Sequence, residues 1–133
     1  MLITTLSFPG NCDEAINFYK EALGARVKEI AYFRDAPPDH GMDESLSPNY
    51  VMHSEVLMFG TMVAMTDGAE TNPTGDNFSF MVLCDSAEEA TNVFIKLADS
   101  GKVVNPLAPQ FWASLWGDVV DRFGVHWGIG TYS

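Results

Sequence analysis

The stretch DRFGVHWGIG, residues 121–130, has a counterpart earlier in the chain in FGTMVAMTDG, residues 59–68. Each carries Phe-Gly followed by an apolar alternation, the pattern of a tight turn feeding a half-buried strand. Upstream of both lies a helical pattern, EAINFYK at residues 14–20 and EATNVFIK at residues 89–96. Glu14, Ala15 and Asn17 recur as Glu89, Ala90 and Asn92, and Tyr19 recurs as Phe94, all at one offset. Helix and hairpin keep their order, so the chain reads as one structural unit used twice.

Working outward, LITTLSF at residues 2–8 is a β-branched run that stops at Pro9-Gly10, a strand ending in a turn. NCDEAINFYKEALGA then predicts an amphipathic helix, with Asn11 as its N-cap and Gly24 as its stop. RVKEIAYFR reads as a strand, DAPPDHGMDESLSPN as a long Pro- and Asp-rich loop, and YVMHSEVLMF with TMVAMT as a hairpin. The series restarts with FSFMVLC, the helix DSAEEATNVFIKLADSG, and the strands VVNPLAP, ASLWGDVV and VHWGIGT. The expected fold is α+β, a single domain of two βαβββ modules, residues 1–67 and 78–133, joined by a linker at 68–77. One such module cannot bury both faces of its sheet, so the modules are expected to form a curved mixed sheet around a cleft.

Composition limits the partners. Seven basic against eighteen acidic residues leave a formal charge of −11 over 133 residues, which repels phosphate backbones and anionic lipid. Nucleic acid and membrane surface are therefore poor partners, whereas a small cation is steered inward. The N-terminal residues lack a basic segment and no apolar run reaches spanning length, so a cytoplasmic location is expected. Cys12 and Cys84 have neither C-x-x-C spacing nor neighbours and read as free thiols.

The motifs GNCDEAINFYKEALGARV, DAPP, VMHSEV and FWASLWGDVVDRFGVHWGI, spread over essentially the whole chain, resemble the vicinal oxygen chelate superfamily. That superfamily includes glyoxalase I, bleomycin-resistance proteins and extradiol dioxygenases, and within it the chain is most similar to the PhnB-like family, often labelled 3-demethylubiquinone-9 3-methyltransferase-like. The run from Phe111 to Trp127 carries the resemblance most specifically. It implies the glyoxalase/bleomycin-resistance/dioxygenase fold and a homodimer.

Metal-dependent members present His and Glu ligands from the strands of both modules. Carried onto this sequence by the resemblance, the ligand positions fall on Thr4, Glu55, Ser79 and Gly128, of which only Glu55 could bind a metal. The second copy thus lacks the carboxylate that the first helps to supply. A rearranged site remains open, because His53 and Glu55 alternate onto one face of a strand and His126 shares the parity of Gly128. Two imidazoles and a carboxylate would suit a divalent ion such as Fe, Mn, Ni or Zn. Without metal, Glu55 would act as a general base, meet a cationic ligand, or pair with Arg34 or Arg122. Trp127 is expected in the core beneath a helix, while Trp112 and Phe33 are candidates to line the cleft with Thr4 and Ser79.

Methyl transfer from a nucleotide cofactor finds no support here, since no G-x-G-x-x-G opens a helix. Two readings stand. One is a binding protein without a cofactor, taking a small aromatic or cationic molecule into the cleft. The other is a divalent-metal enzyme, a lyase, isomerase or dioxygenase, acting on adjacent oxygens with Glu55 and His53 or His126.

Overall fold

The computed structural model describes residues 1–37, 47–68, 75 and 77–133. The central part of the expected long loop and most of the expected linker lie outside the described residues. The chain divides into two compact units, Met1–Asn72 and Pro73–Ser133.

In the first unit β1 (Thr4–Phe8), α1 (Cys12–Leu23), β2 (Arg26–Tyr32), β3 (Val51–Met58) and β4 (Thr61–Asp67) follow in order. They form a four-stranded sheet ordered β1-β4-β3-β2, with β1 parallel to β4 and the other pairs antiparallel. The second unit repeats this plan with β5 (Phe80–Leu83), α2 (Ala87–Ala98), β6 (Lys102–Ala108), β7 (Leu115–Val120) and β8 (His126–Thr131). Its order is β5-β8-β7-β6, again with one parallel pair, β5 with β8. The fold is α+β with a duplicated βαβββ plan.

Each helix follows from its sequence pattern, but the two begin differently. Gly24 ends α1 in the left-handed region (φ 65°), donating to the Lys20 carbonyl, as its missing Cβ permits. Asn11 does not cap α1 with its side chain, contrary to expectation. Asp67, at the end of β4, does so instead: its Oδ1 accepts from the amides of Gly10 (2.9 Å) and Cys12 (3.0 Å), and its Oδ2 from Val51 (2.8 Å). A carboxylate at the positive end of a helix both satisfies free donors and opposes the dipole. In α2 the cap is local, with Ser86 Oγ accepting from Glu89 N at 3.1 Å and Ala90, Val93, Phe94 and Leu97 buried beneath.

The link from Asp67 to the α1 terminus also identifies the covered face. Val63 and Met65 share the parity of Asp67, and Val56 pairs with Val63, so this face of the first sheet lies under α1. There α1 buries Ala15, Ile16, Tyr19, Ala22 and Leu23. Full burial of side chains such as Tyr19, Val56 and Met65 contributes about 1.5–3 kcal/mol each. Strand β2 ends one residue before Phe33, because Phe33–Asp35 turn into a 3-10 helix held by Asp35 Oδ2 accepting from Tyr32 N at 2.9 Å.

Candidate functional site

The face of the first sheet away from α1 carries the residues singled out for chemistry. Glu55 pairs laterally with Ala64 on β4 and with Glu29 on β2, and His53 pairs with Ala31. Glu55 is half-buried and His53 exposed. Among the described residues neither has a hydrogen-bond or ion-pair partner. The arginines weighed as partners are engaged elsewhere: Arg34 lies 4.2 Å from the Tyr32 ring centroid and Arg122 pairs with Asp99 at 3.0 Å.

Two expected lining residues are displaced. Thr4 pairs with Val63 and so shares the helix-covered face of Val56, opposite to Glu55. Its neighbour Thr5 pairs with Ala64 and takes the open face. Phe33 is buried in the 3-10 turn at 9% exposure and offers little surface to a ligand.

On the second sheet, α2 covers the side of Gly117, where a Cβ would come within 2.7 Å of Phe94. Trp127 pairs with Val119 on this same side and is buried, its Nε1 donating to Asp121 Oδ2 at 2.9 Å. The opposite face carries buried Trp116, Gly128 and Gly130 with half-buried Asp118 and His126. No hydrogen-bond or ion-pair partner of His126 is found among the described residues. Ser79 is exposed and precedes β5, so no ladder positions it; Met81, 60% exposed, stands opposite Gly128 instead.

Gly128 is a glycine for a steric reason. A Cβ there would lie 2.9 Å from Trp116 Cζ2 and 3.3 Å from Asp118 Oδ1, and one at Gly130 would collide with Trp116 Cε3 and the Leu115 carbonyl. The Trp116 indole therefore lies across both glycines. Trp112 packs against it, ring centroids 4.9 Å apart and planes at 59°, and is itself 45% exposed. Sequence reading weighed Trp116 as a stacking ring but preferred Trp112 for the cleft, although Trp116 and Gly130 are cross-strand partners and glycine opposite an indole is a recognisable pairing.

The internal repeat pairs a different residue of the first unit with Gly128. The offset that carries Phe59-Gly60 onto Phe123-Gly124 carries Ala64, not Glu55, onto Gly128. The lateral partners of these two residues are Thr5 and Met81. In the first sheet Ala64 has Thr5 beside it, and in the second Gly128 has Met81, so neither pair carries a carboxylate or an imidazole. Glu55 stands one strand over, and its counterpart beside Gly128 is Asp118, whose Oδ2 accepts from Asn105 Nδ2 at 3.0 Å. Among the described residues no three His, Cys, Asp or Glu side chains gather as a divalent ion requires. The described residues of the two sheets therefore offer no complete donor set of the kind the superfamily's metal enzymes use.

Three further titratable groups, Asp121, Cys12 and Cys84, are buried. Asp121 is buried, with Oδ1 accepting from the amides of Phe123 and Val125. Burial, reinforced by Asp67 and Asp13, pushes the Cys12 thiol far up, and burial with a hydrogen bond to Glu89 pushes Cys84 up to about 12. The protonated thiol is thus favoured by folding. Its stabilisation is complete below the ordinary thiol range and is lost as pH rises, for Cys84 between about 9 and about 12. Iodoacetamide labelling of the folded chain at pH 8 is expected to be slow and to accelerate in urea. Mass spectrometry of the time course checks this, and rapid labelling of the native chain would refute it.

Residues 1–130 match the family profile described as 3-demethylubiquinone-9 3-methyltransferase. Protein YjdN of Escherichia coli (strain K12) is 30% identical, over 95% of this chain and 91% of that protein. The crystal structure of protein PA1353 from Pseudomonas aeruginosa is 30% identical with a TM-score of 0.84, over 98% of this chain and 96% of that one. The PhnB protein from Bacillus cereus is 25% identical with a TM-score of 0.79, over 98% of both chains. No described helix is long and apolar enough to cross a membrane. The chain belongs to the PhnB-like 3-demethylubiquinone-9 3-methyltransferase family.

Proposed function

We propose that the chain is a metal-free small-molecule-binding protein whose ligand is a small aromatic or cationic compound taken against the open sheet faces. The observation that carries this reading is the Trp116 indole lying over Gly128 and Gly130, where the superfamily's metal enzymes present a carboxylate. An aromatic surface thus stands in for a Lewis-acid site. Neighbouring Glu29 and Glu55 on the first sheet and the overall charge of −11 favour a cationic ligand. The methyl transfer named in the family's description lacks its usual support here. The turns leading into α1 and α2, Pro9-Gly10-Asn11 and Cys84-Asp85-Ser86, contain no Gly-rich phosphate cradle.

Elemental mass spectrometry after incubation with Mn, Fe, Ni and Zn ions, followed by dialysis, tests the reading. The expected result is less than stoichiometric metal, together with saturable quenching of tryptophan fluorescence by a flat organic compound from a small screen. One tightly held ion per chain that disappears in Glu55→Ala would overturn it in favour of a metal-dependent enzyme.

A further inference from the structure

We propose that the face of the second sheet away from α2 holds, at its exposed Trp112 margin, a subsite for a methylated ammonium ion formed by Trp112, Trp116 and Asp118; this rests on the small-molecule-binding reading. The two indoles stand at 59° with centroids 4.9 Å apart, so they form a corner rather than a flat stack. Trp116 is buried (8% exposed) and held over Gly128 and Gly130, while Trp112 is 45% exposed. The inner wall of the corner is fixed and the outer wall is presented to solvent.

A carboxylate lies on the Trp116 side of this corner. Asp118 lies two residues from Trp116 on β7, on the same face. Its Oδ1 and Trp116 Cζ2 are 3.3 and 2.9 Å from the single point that a Gly128 Cβ would occupy. The bond from Asn105 Nδ2 to Asp118 Oδ2 orients the group and leaves Oδ1 without a donor from the same side chain. Among the described residues no Lys or Arg forms an ion pair with Asp118. The absence of a side chain at residue 128 leaves free the point that both groups approach.

These groups select a chemical class. An indole face attracts a cation through its quadrupole, and does so best when the cation is weakly hydrated and its charge is spread over methyl groups. A hard metal ion needs several converging oxygens instead, and this corner offers one carboxylate. A quaternary or tertiary ammonium meets both requirements, with methyls against the rings and charge beside Oδ1.

Tryptophan fluorescence of the full chain, titrated with choline and with its neutral isostere 3,3-dimethylbutan-1-ol, tests the subsite. Choline is expected to bind saturably and the isostere about tenfold or more weaker, with Asp118→Asn and Trp112→Ala each lowering choline affinity by about tenfold. Equal binding of choline and isostere, or unchanged affinity in a folded Asp118→Asn variant, would overturn the cation subsite while leaving the small-molecule reading intact. Failure of choline with saturable binding of a neutral aromatic would do the same. Failure of choline, isostere and flat aromatics alike would overturn both. If Asp118→Asn does not fold, the choline-to-isostere comparison on the parent chain decides the matter alone.

Discussion

Asp67→Ala is expected to destabilise the first unit by about 4 kcal/mol, measured as a loss of urea-unfolding free energy. One carboxylate, 7% exposed, serves three backbone donors, the amides of Gly10, Cys12 and Val51. Truncation removes three charge-assisted bonds and leaves interior N–H groups unsatisfied, each worth about 1–3 kcal/mol, with some relief from entering water. Asp67→Asn keeps one good acceptor and sets an NH2 among donors, so about half that loss is expected. If the alanine variant does not fold, the asparagine variant carries the measurement. A loss below about 1 kcal/mol in Asp67→Ala would show that the three amides find other acceptors and that the carboxylate does not organise the start of α1.

Gly130→Ala is expected to be as damaging, by about 3 kcal/mol or more. The added methyl meets the Leu115 carbonyl as well as the Trp116 ring, and a backbone oxygen fixed in the β7–β8 ladder cannot move aside. Gly128→Ala differs in kind, since its close contacts are side-chain atoms only, Trp116 and Asp118. About 1–2 kcal/mol is expected there. A double-mutant cycle separates the two cases: pairing each change with Trp116→Ala should recover most of the loss at residue 128 and little at residue 130. Equal recovery at both positions would mean that the indole alone dictates both glycines.

The order of elements was legible because it rests on short-range patterns. The helix repeat, the Gly24 stop and the Phe59-Gly60 turn each show within a few residues, and the structure has Phe59 and Gly60 both at positive φ, 48° and 78°. The burial of Trp127 beneath a helix followed from alternation once Gly128 was placed toward the cleft. What failed was register across loops. Counting back from the α1 motif put Thr4 on the wrong face, because alternation offers two parities and a one-residue difference in the β1–α1 connection selects the other. Asp67 as a cap and Trp116 as a cover were not legible for a related reason: their partners are distant in sequence, and only strand pairing brings them together.

The two helices also differ in when their ends can be completed. The cap of α2 closes over three residues, from Ser86 to Glu89, whereas the bond from Cys12 to Asp67 spans 55. Loop-closure entropy rises with the logarithm of the span. The second helix can therefore nucleate on its own segment, while the first gains its N-terminal acceptor only after the β3–β4 hairpin has formed and paired with β1. Contacts of such long range slow folding, so the two copies of one motif need not assemble by the same route. A fragment of the first unit cut before Asp67 would carry the whole α1 sequence and still lack the group that caps its first turn.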